Sequence, residues 1–213
     1  MSHLEPLDHL VFAGPDLPAA IDHVGRLTGV RAEPSGRHPI GTANALIAFT
    51  VDGRRVPHYL EVIGPDEGRV ASDIPKFGID RLTGPELVTY AIHPDDLDAT
   101  LAEATAAGLD LGQASPLSRR KPDGTLLEWR ISLAEVDTGA VIPFLIDWGS
   151  TEQPGLSDLP TLELLSVALE TPEPDATAAH LAVLGVPFAV TEGPRQAVVA
   201  TVRTLSGDVV ELR

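Results

Sequence analysis

The stretch 35–49, SGRHPIGTANALIAF, sets a histidine and an asparagine just ahead of an apolar run. Near neutral pH the imidazole of His38 can take, give or share a proton, which makes it a candidate catalytic acid, base or donor. Asn44 either caps the turn made by the glycines and Pro39 or offers its amide to a substrate. Glu61 places a carboxylate on an otherwise apolar strand-like segment, where a charge needs a partner. Arg119, Arg120 and Lys121 form the main basic cluster of an acidic chain. They are either a solvated loop or, through the forked donors of the two arginines, a clamp for a substrate carboxylate or phosphate. Trp129 and Trp148 are the only tryptophans. They are core residues or the aromatic wall of a substrate cleft. His58 should face away from Glu61, and His3, His23, His93 and His180 read as peripheral.

The elements that must position these groups repeat along the chain. LDHLVFAGPDLPAAIDHVGRLTG reads as an alternating strand, a turn and a helix. Asp16 suits the N-cap, Pro18 the first turn and Gly29 a left-handed terminus. LVTYAIHPDDLDATLAEATAAG repeats the pattern, with Asp95 or Asp96 as cap. LLSVALETPEPDATAAHLAVLG repeats it again, with Asp175 as cap. The closing glycines 29, 108 and 185 lie 79 and 77 residues apart. Strand-like segments follow each helix: 45–51 and 59–63 around a DGRR hairpin, then 126–133 and 142–148, then 197–205 and 209–212. Each unit reads as β-α-β-β-β. A long connection covers 64–85, and GSTEQPGLSDLP separates the second unit from the third.

Composition narrows the classes. The net charge is −16, from 31 acidic and 15 basic residues. That field repels nucleic acid and anionic membrane surfaces, and it draws in cations or a metal. With no cysteine, disulfides, thiolate nucleophiles and cysteine-held metal centres are all excluded. The N-terminus lacks the pattern of a signal peptide and no run approaches the length of a membrane span, so a cytoplasmic protein is expected. Phosphate loop, dinucleotide fingerprint and nucleophile elbow are all absent.

The phrases LDHLVFAGPDL, SGRHPIGTANALIAF, YLEVIGPDE, RRKPDGTLLEWR and PFLIDWG, in this order, resemble the vicinal oxygen chelate superfamily, in its glyoxalase-like branch. The resemblance implies an α+β fold of βαβββ modules whose curved mixed sheets surround a cleft. Residues 1–150 would hold one pair of modules, about 5–65 and 86–150, with a third, shorter module at 160–213. Members often hold a divalent metal and polarise oxygens of a small molecule, as lyases, isomerases or dioxygenases; others bind a ligand without metal. In the resembling enzymes one metal ligand comes from a module's first strand and one from its last, which points to His9 and Glu61. Imidazole with carboxylate suits zinc, iron, nickel or manganese; the alternative is a satisfied buried histidine and an ion-paired glutamate. The second module sets Thr89 opposite His9 and Ile146 opposite Glu61, with Asp147 one residue off. The third sets Ser166 and Glu211 at those places, so Glu211 is a possible third ligand. An odd number of modules leaves sheet edges to cover, and a homodimer is expected.

Overall fold

The computed structural model describes residues 4–121, 123–132, 134 and 140–213. The first unit runs β1 (Leu7–Ala13), α1 (Leu17–Thr28), β2 (Glu33–Arg37), β3 (Thr42–Val51) and β4 (Arg54–Pro65). Asp16 caps α1 by accepting from the Ala19 amide, and Gly29 ends it at φ 78°. Leu17, Ala20, Ile21 and Val24 form its buried stripe. Asp52 and Gly53, at φ 52° and 71°, make the tight turn that DGRR predicts between β3 and β4.

The second unit runs β5 (Glu86–Ile92), α2 (Leu97–Ala106), β6 (Ala114–Arg120), β7 (Leu126–Ser132) and β8 (Phe144–Asp147). Asp96, not Asp95, caps α2. The predicted end of β7, Leu133, lies outside the described residues. The third unit runs β9 (Thr161–Thr171), α3 (Pro174–Val183), β10 (Ala189–Glu192), β11 (Ala197–Arg203) and β12 (Val209–Leu212). The predicted cap Asp175 instead lies in the first turn of α3. Glu173 holds the cap position, with no side-chain bond.

Eight strands of the first two units close on themselves. In each unit the first strand lies parallel to the last: β1 with β4 and β5 with β8. The units then join by an antiparallel β1–β5 pairing and, at the other seam, by Arg37 opposite Arg120 between β2 and β6. The order β1-β4-β3-β2-β6-β7-β8-β5 returns to β1. The third unit extends this ring: β9 runs parallel to the end of β3, with β11 and β12 beyond it and β10 along its far half. Its wiring differs from the other two, because β12 pairs with β11 and not with its own first strand.

Strand alternation then sorts the side chains. Leu10, Phe12, Ile47, Leu60, Val62 and Leu145 pack with the helical stripes in the larger core. Val11, Leu46, Tyr59, Ile63, Trp129, Ile131, Phe144 and Ile146 point into the ring. Among the described residues no helix is long and apolar enough to cross a membrane.

Candidate functional site

The inward face encloses a cleft with about 550 Å³ of empty space, part of it open to solvent. His9, His38, Asn44, Glu61, Arg119, Trp129 and Trp148 all line it, so most of the residues singled out by type converge. Glu61 shares its face with Tyr59 and Ile63, as alternation requires. The second module contributes apolar wall at the matching places, with Ile146 on the lining and Asp147 turned towards Arg130.

The polar groups form one chain of contacts. His9 Nδ1 lies 2.6 Å from Asp8 Oδ1, and His9 Nε2 lies 3.8 Å from Glu61 Oε2. Asn44 Nδ2 donates to Glu61 Oε1 at 2.5 Å, while Asn44 Oδ1 accepts from Arg119 Nη1 at 3.0 Å. Arg119 Nη1 also donates to Ser35 Oγ. The His9 ring stacks on Tyr59 at 4.7 Å and meets the edge of Phe144.

Asp8 has no counterpart in the sequence reading, because a regular strand would send it to the face opposite His9. A bulge changes that. Leu7 pairs with Ile92 and His9 with Ala91, so Asp8 is the extra residue of β1. Both neighbours then reach the same region. Asp8 is fully buried and also accepts from Trp148 Nε1 at 2.9 Å and Gln153 Nε2 at 2.6 Å. Burial alone would raise its pKa, but the bonds from His9, Trp148 and Gln153 hold it below the usual carboxylate value. An ionised Asp8 can only accept, so His9 carries its proton on Nδ1 and turns Nε2 to the cleft. His93, read as peripheral, sits 3.9 Å from the same carboxylate.

Glu61 behaves likewise. Burial pushes its pKa up, while His9, His38, the Asn44 amide and Arg119 pull it down further. His38 is held by Thr42, whose Oγ1 lies 2.9 Å from its Nδ1. Burial drops its pKa to about 4, with Arg119 and Lys76 adding to the drop, so the ring is neutral at pH 7. Burial also lowers His58, on the opposite face of β4, whose Nδ1 has no hydrogen-bond partner among the described residues.

Arg119 is not on a loop. It lies on β6, is 2% exposed, and crosses Gly36 of β2 so closely that a Cβ there would meet its Cγ at 2.7 Å. Arg120 alternates to the other side, is exposed and donates to the Gly124 carbonyl, away from the cleft. Further lining residues carry no signal of their own in the sequence, among them Leu117 and Ser118 of β6 and two from outside the sheet. Lys76 and Phe77 come from the 64–85 connection, where Phe77 takes a left-handed φ of 57° and tilts against Phe144 at 5.7 Å. The only signal was the length of that connection.

Among the described residues the donors do not make up a divalent metal centre. Such an ion needs three or more suitable ligands. Among the described residues no group of three or more His, Cys, Asp and Glu is placed to hold one. Glu211 lies on β12, at the end of the sheet, and pairs with Arg213. It is not among the residues that line the cleft, and the third unit does not pair its first strand with its last.

The model of the glyoxalase-like domain matches residues 7–185 of the 213. The chain belongs to the glyoxalase-like domain family, within the vicinal oxygen chelate superfamily. No curated protein matches this glyoxalase-like chain by sequence. Among solved structures, a hypothetical protein from Staphylococcus aureus is 11% identical, with a TM-score of 0.62 over 97% of this chain and 98% of that one. A variant of 4-hydroxymandelate synthase from Streptomyces coelicolor is 15% identical, with a TM-score of 0.50 over 97% of this chain and 61% of that one. A Streptomyces coelicolor methylmalonyl-CoA epimerase variant is 22% identical, with a TM-score of 0.45 over 70% of this chain and 98% of that one. At these identities the likeness is one of fold.

Acid should unfold this protein early. His38 and His58 have folded pKa values below the unfolded 6.5, so the unfolded chain binds protons first. Their share of stability is present above that value and drains away as pH falls, for His38 until about 4. Asp8 and Glu61, lowered from 3.8 and 4.5, extend the loss to stronger acid. The thermal midpoint is expected to be level above about pH 7 and to fall from about pH 6.5 downwards. His58→Leu should flatten the upper part of that fall. A midpoint that rises on acidification from pH 7 to 5 contradicts this account.

Proposed function

We propose that this protein moves a proton on a small carbonyl compound, as an isomerase or lyase without a resident metal. The observation that supports it is the line Asp8–His9–Glu61, with contacts of 2.6 and 3.8 Å, at the wall of an apolar cleft. Asp8 fixes the tautomer and orientation of His9, leaving the Nε2 lone pair free for a ligand. That nitrogen takes a proton from the carbon beside the carbonyl. The C–H electron pair becomes a C=C bond, and the carbonyl pair moves onto oxygen. Ionised Asp8 and Glu61 flank the imidazolium so formed and stabilise it. Neutral His38 is suited to donate a hydrogen bond to the developing oxyanion, because it gives up no charge of its own. The imidazolium then returns the proton to the same or the adjoining atom.

Proton NMR in D2O tests this with a panel of small ketones and 2-oxo acids. The protein should speed exchange of the hydrogens beside the carbonyl well above the buffer rate, and elemental analysis should find no stoichiometric transition metal. Exchange that requires added zinc, iron, nickel or manganese would overturn the metal-free mechanism. The pairing of Trp129 with Trp148, 5.3 Å apart in the cleft, favours a second reading: a metal-free binding protein that sequesters its ligand. That protein would quench tryptophan emission on binding and show no exchange with any bound compound.

A further inference from the structure

We infer that the ligand of this cleft is a monocarboxylate with an apolar body, and that Arg119 and Lys76 together read its carboxylate. The inference takes the cleft to be the functional site proposed above and adds the charge of the molecule it takes. The cations are the unusual feature. Arg119 is 2% exposed, and its protein acceptors are the neutral oxygens of Ser35 and Asn44, both on Nη1. Among the described residues its other guanidinium nitrogens find no acceptor, and no carboxylate lies within 4.0 Å of Arg119 or of Lys76. The Lys76 ammonium instead lies 5.2 Å from the Phe77 ring centre.

A buried charge is ordinarily paired, and this chain has 31 acidic residues to pair it with. Glu61 is the obvious candidate, yet Asn44 stands between it and Arg119. The asparagine gives its amide to Glu61 and its carbonyl to Arg119, so both ions are oriented and feel each other's charge without forming a direct ion pair. The bare Gly36 backbone makes room for this one side chain: a Cβ there would strike Arg119 Cγ and Cδ at 2.7 and 2.9 Å. A guanidinium positioned this way, with donors left over, is a receptor for a planar anion. The walls beyond it are Ile63, Leu117, Trp129, Ile131 and Phe144, which suit a hydrocarbon or aromatic body and give a phosphate-rich ligand nothing to bond. Lys76 comes from the long 64–85 connection, which adds the second cation from outside the sheet.

Emission of the two cleft tryptophans, excited at a wavelength where the probes are transparent, reads binding directly. Phenylacetate, 4-methylpentanoate and benzoate are compared with their uncharged amides. At least one acid is expected to bind ten-fold or more tightly than its amide, a difference of about 1.4 kcal/mol. Arg119→Gln and Lys76→Met should each weaken acid binding more than amide binding, so that the preference shrinks. Arg119→Lys should restore part of it. Because Arg119 is buried, the thermal midpoint of each variant is recorded, and Lys76→Met serves alone if Arg119→Gln does not fold. Equal affinity for acid and amide, or no binding of any acid up to about 10 mM, overturns the inference. So does a preference that survives in Lys76→Met and, where it folds, in Arg119→Gln. The proton-transfer proposal fails separately: acids that bind through Arg119 without any solvent exchange would sink that proposal and leave this one standing. Exchange on neutral ketones with no preference for acids would do the reverse.

Discussion

Asp8→Ala is expected to destabilise the protein by about 3–5 kcal/mol, the cost of removing one member of a buried, hydrogen-bonded charge cluster. Three donors end on this carboxylate: His9 Nδ1, Trp148 Nε1 and Gln153 Nε2. The residue has no exposed surface, so water cannot take its place without entering the wall of the cleft. Each donor left without a partner keeps its desolvation cost, and Gln153 belongs to the connection that leads into the third unit. For a chain of this size the thermal midpoint should fall on the order of 10 °C. Tryptophan emission should shift to the red as Trp148 loses its anchor. Asp8→Asn keeps the volume and some acceptor capacity but turns an amide N–H₂ towards donors, so an intermediate loss is expected. A midpoint for Asp8→Ala within about 2 °C of the wild type would mean that the three donors find other partners.

The placement of this carboxylate marks the boundary of what the sequence carries. Strand alternation is a period-two rule, and it correctly put Glu61 with Tyr59 and Ile63. One extra residue breaks the rule locally, and nothing in LDHLVFA announces a bulge. The helices and long strands were legible because apolar stripes, caps and closing glycines agree with one another. The strands β2, β6 and β10, with sequences EPSGR, ASPLSRR and AVTE, were not located because their residues are polar or weak strand formers. Ladders on their neighbours hold them in place, and those contacts are distant in sequence. This is also why Arg119 reads as a possible loop residue while the fold makes it the wall of a cleft. Repetition gave the order of elements in the third unit but not their partners. Glu211 matches Glu61 by position in the repeat, yet β12 runs at the far end of the sheet.

The pairing between the units also accounts for the asymmetry of the site. Parallel pairing of first and last strands brings position 9 beside position 59 in the first module, with Glu61 two residues further along the same face. In the second module the same wiring brings Ala91 beside Phe144. At these matching places one half of the ring supplies imidazole and carboxylate and the other hydrocarbon, while the second half's polar contribution comes from Arg119 on β6.

His9→Gln should remove most of the proton exchange, about 10²–10⁴-fold, if the imidazole is the group that carries the proton. Glutamine is chosen because its amide can still donate to Asp8, so the wall survives while the basic nitrogen is lost. Glu61→Gln keeps the acceptor that the Asn44 amide uses but removes the charge 3.8 Å from His9 Nε2. Its expected cost is smaller, about 10–10²-fold, because Glu61 stabilises the imidazolium and does not itself accept the proton. The double variant decides between the two roles. Groups that act as a unit lose little more together than the more important one loses alone. The double variant should therefore be no slower than His9→Gln within about threefold, while tryptophan quenching by the bound ligand persists in all three. Losses that multiply would make Glu61 an independent base. Exchange retained in His9→Gln within about threefold of the wild type would move the chemistry away from this imidazole, leaving Glu61, beside a neutral His38, as the group that takes the proton.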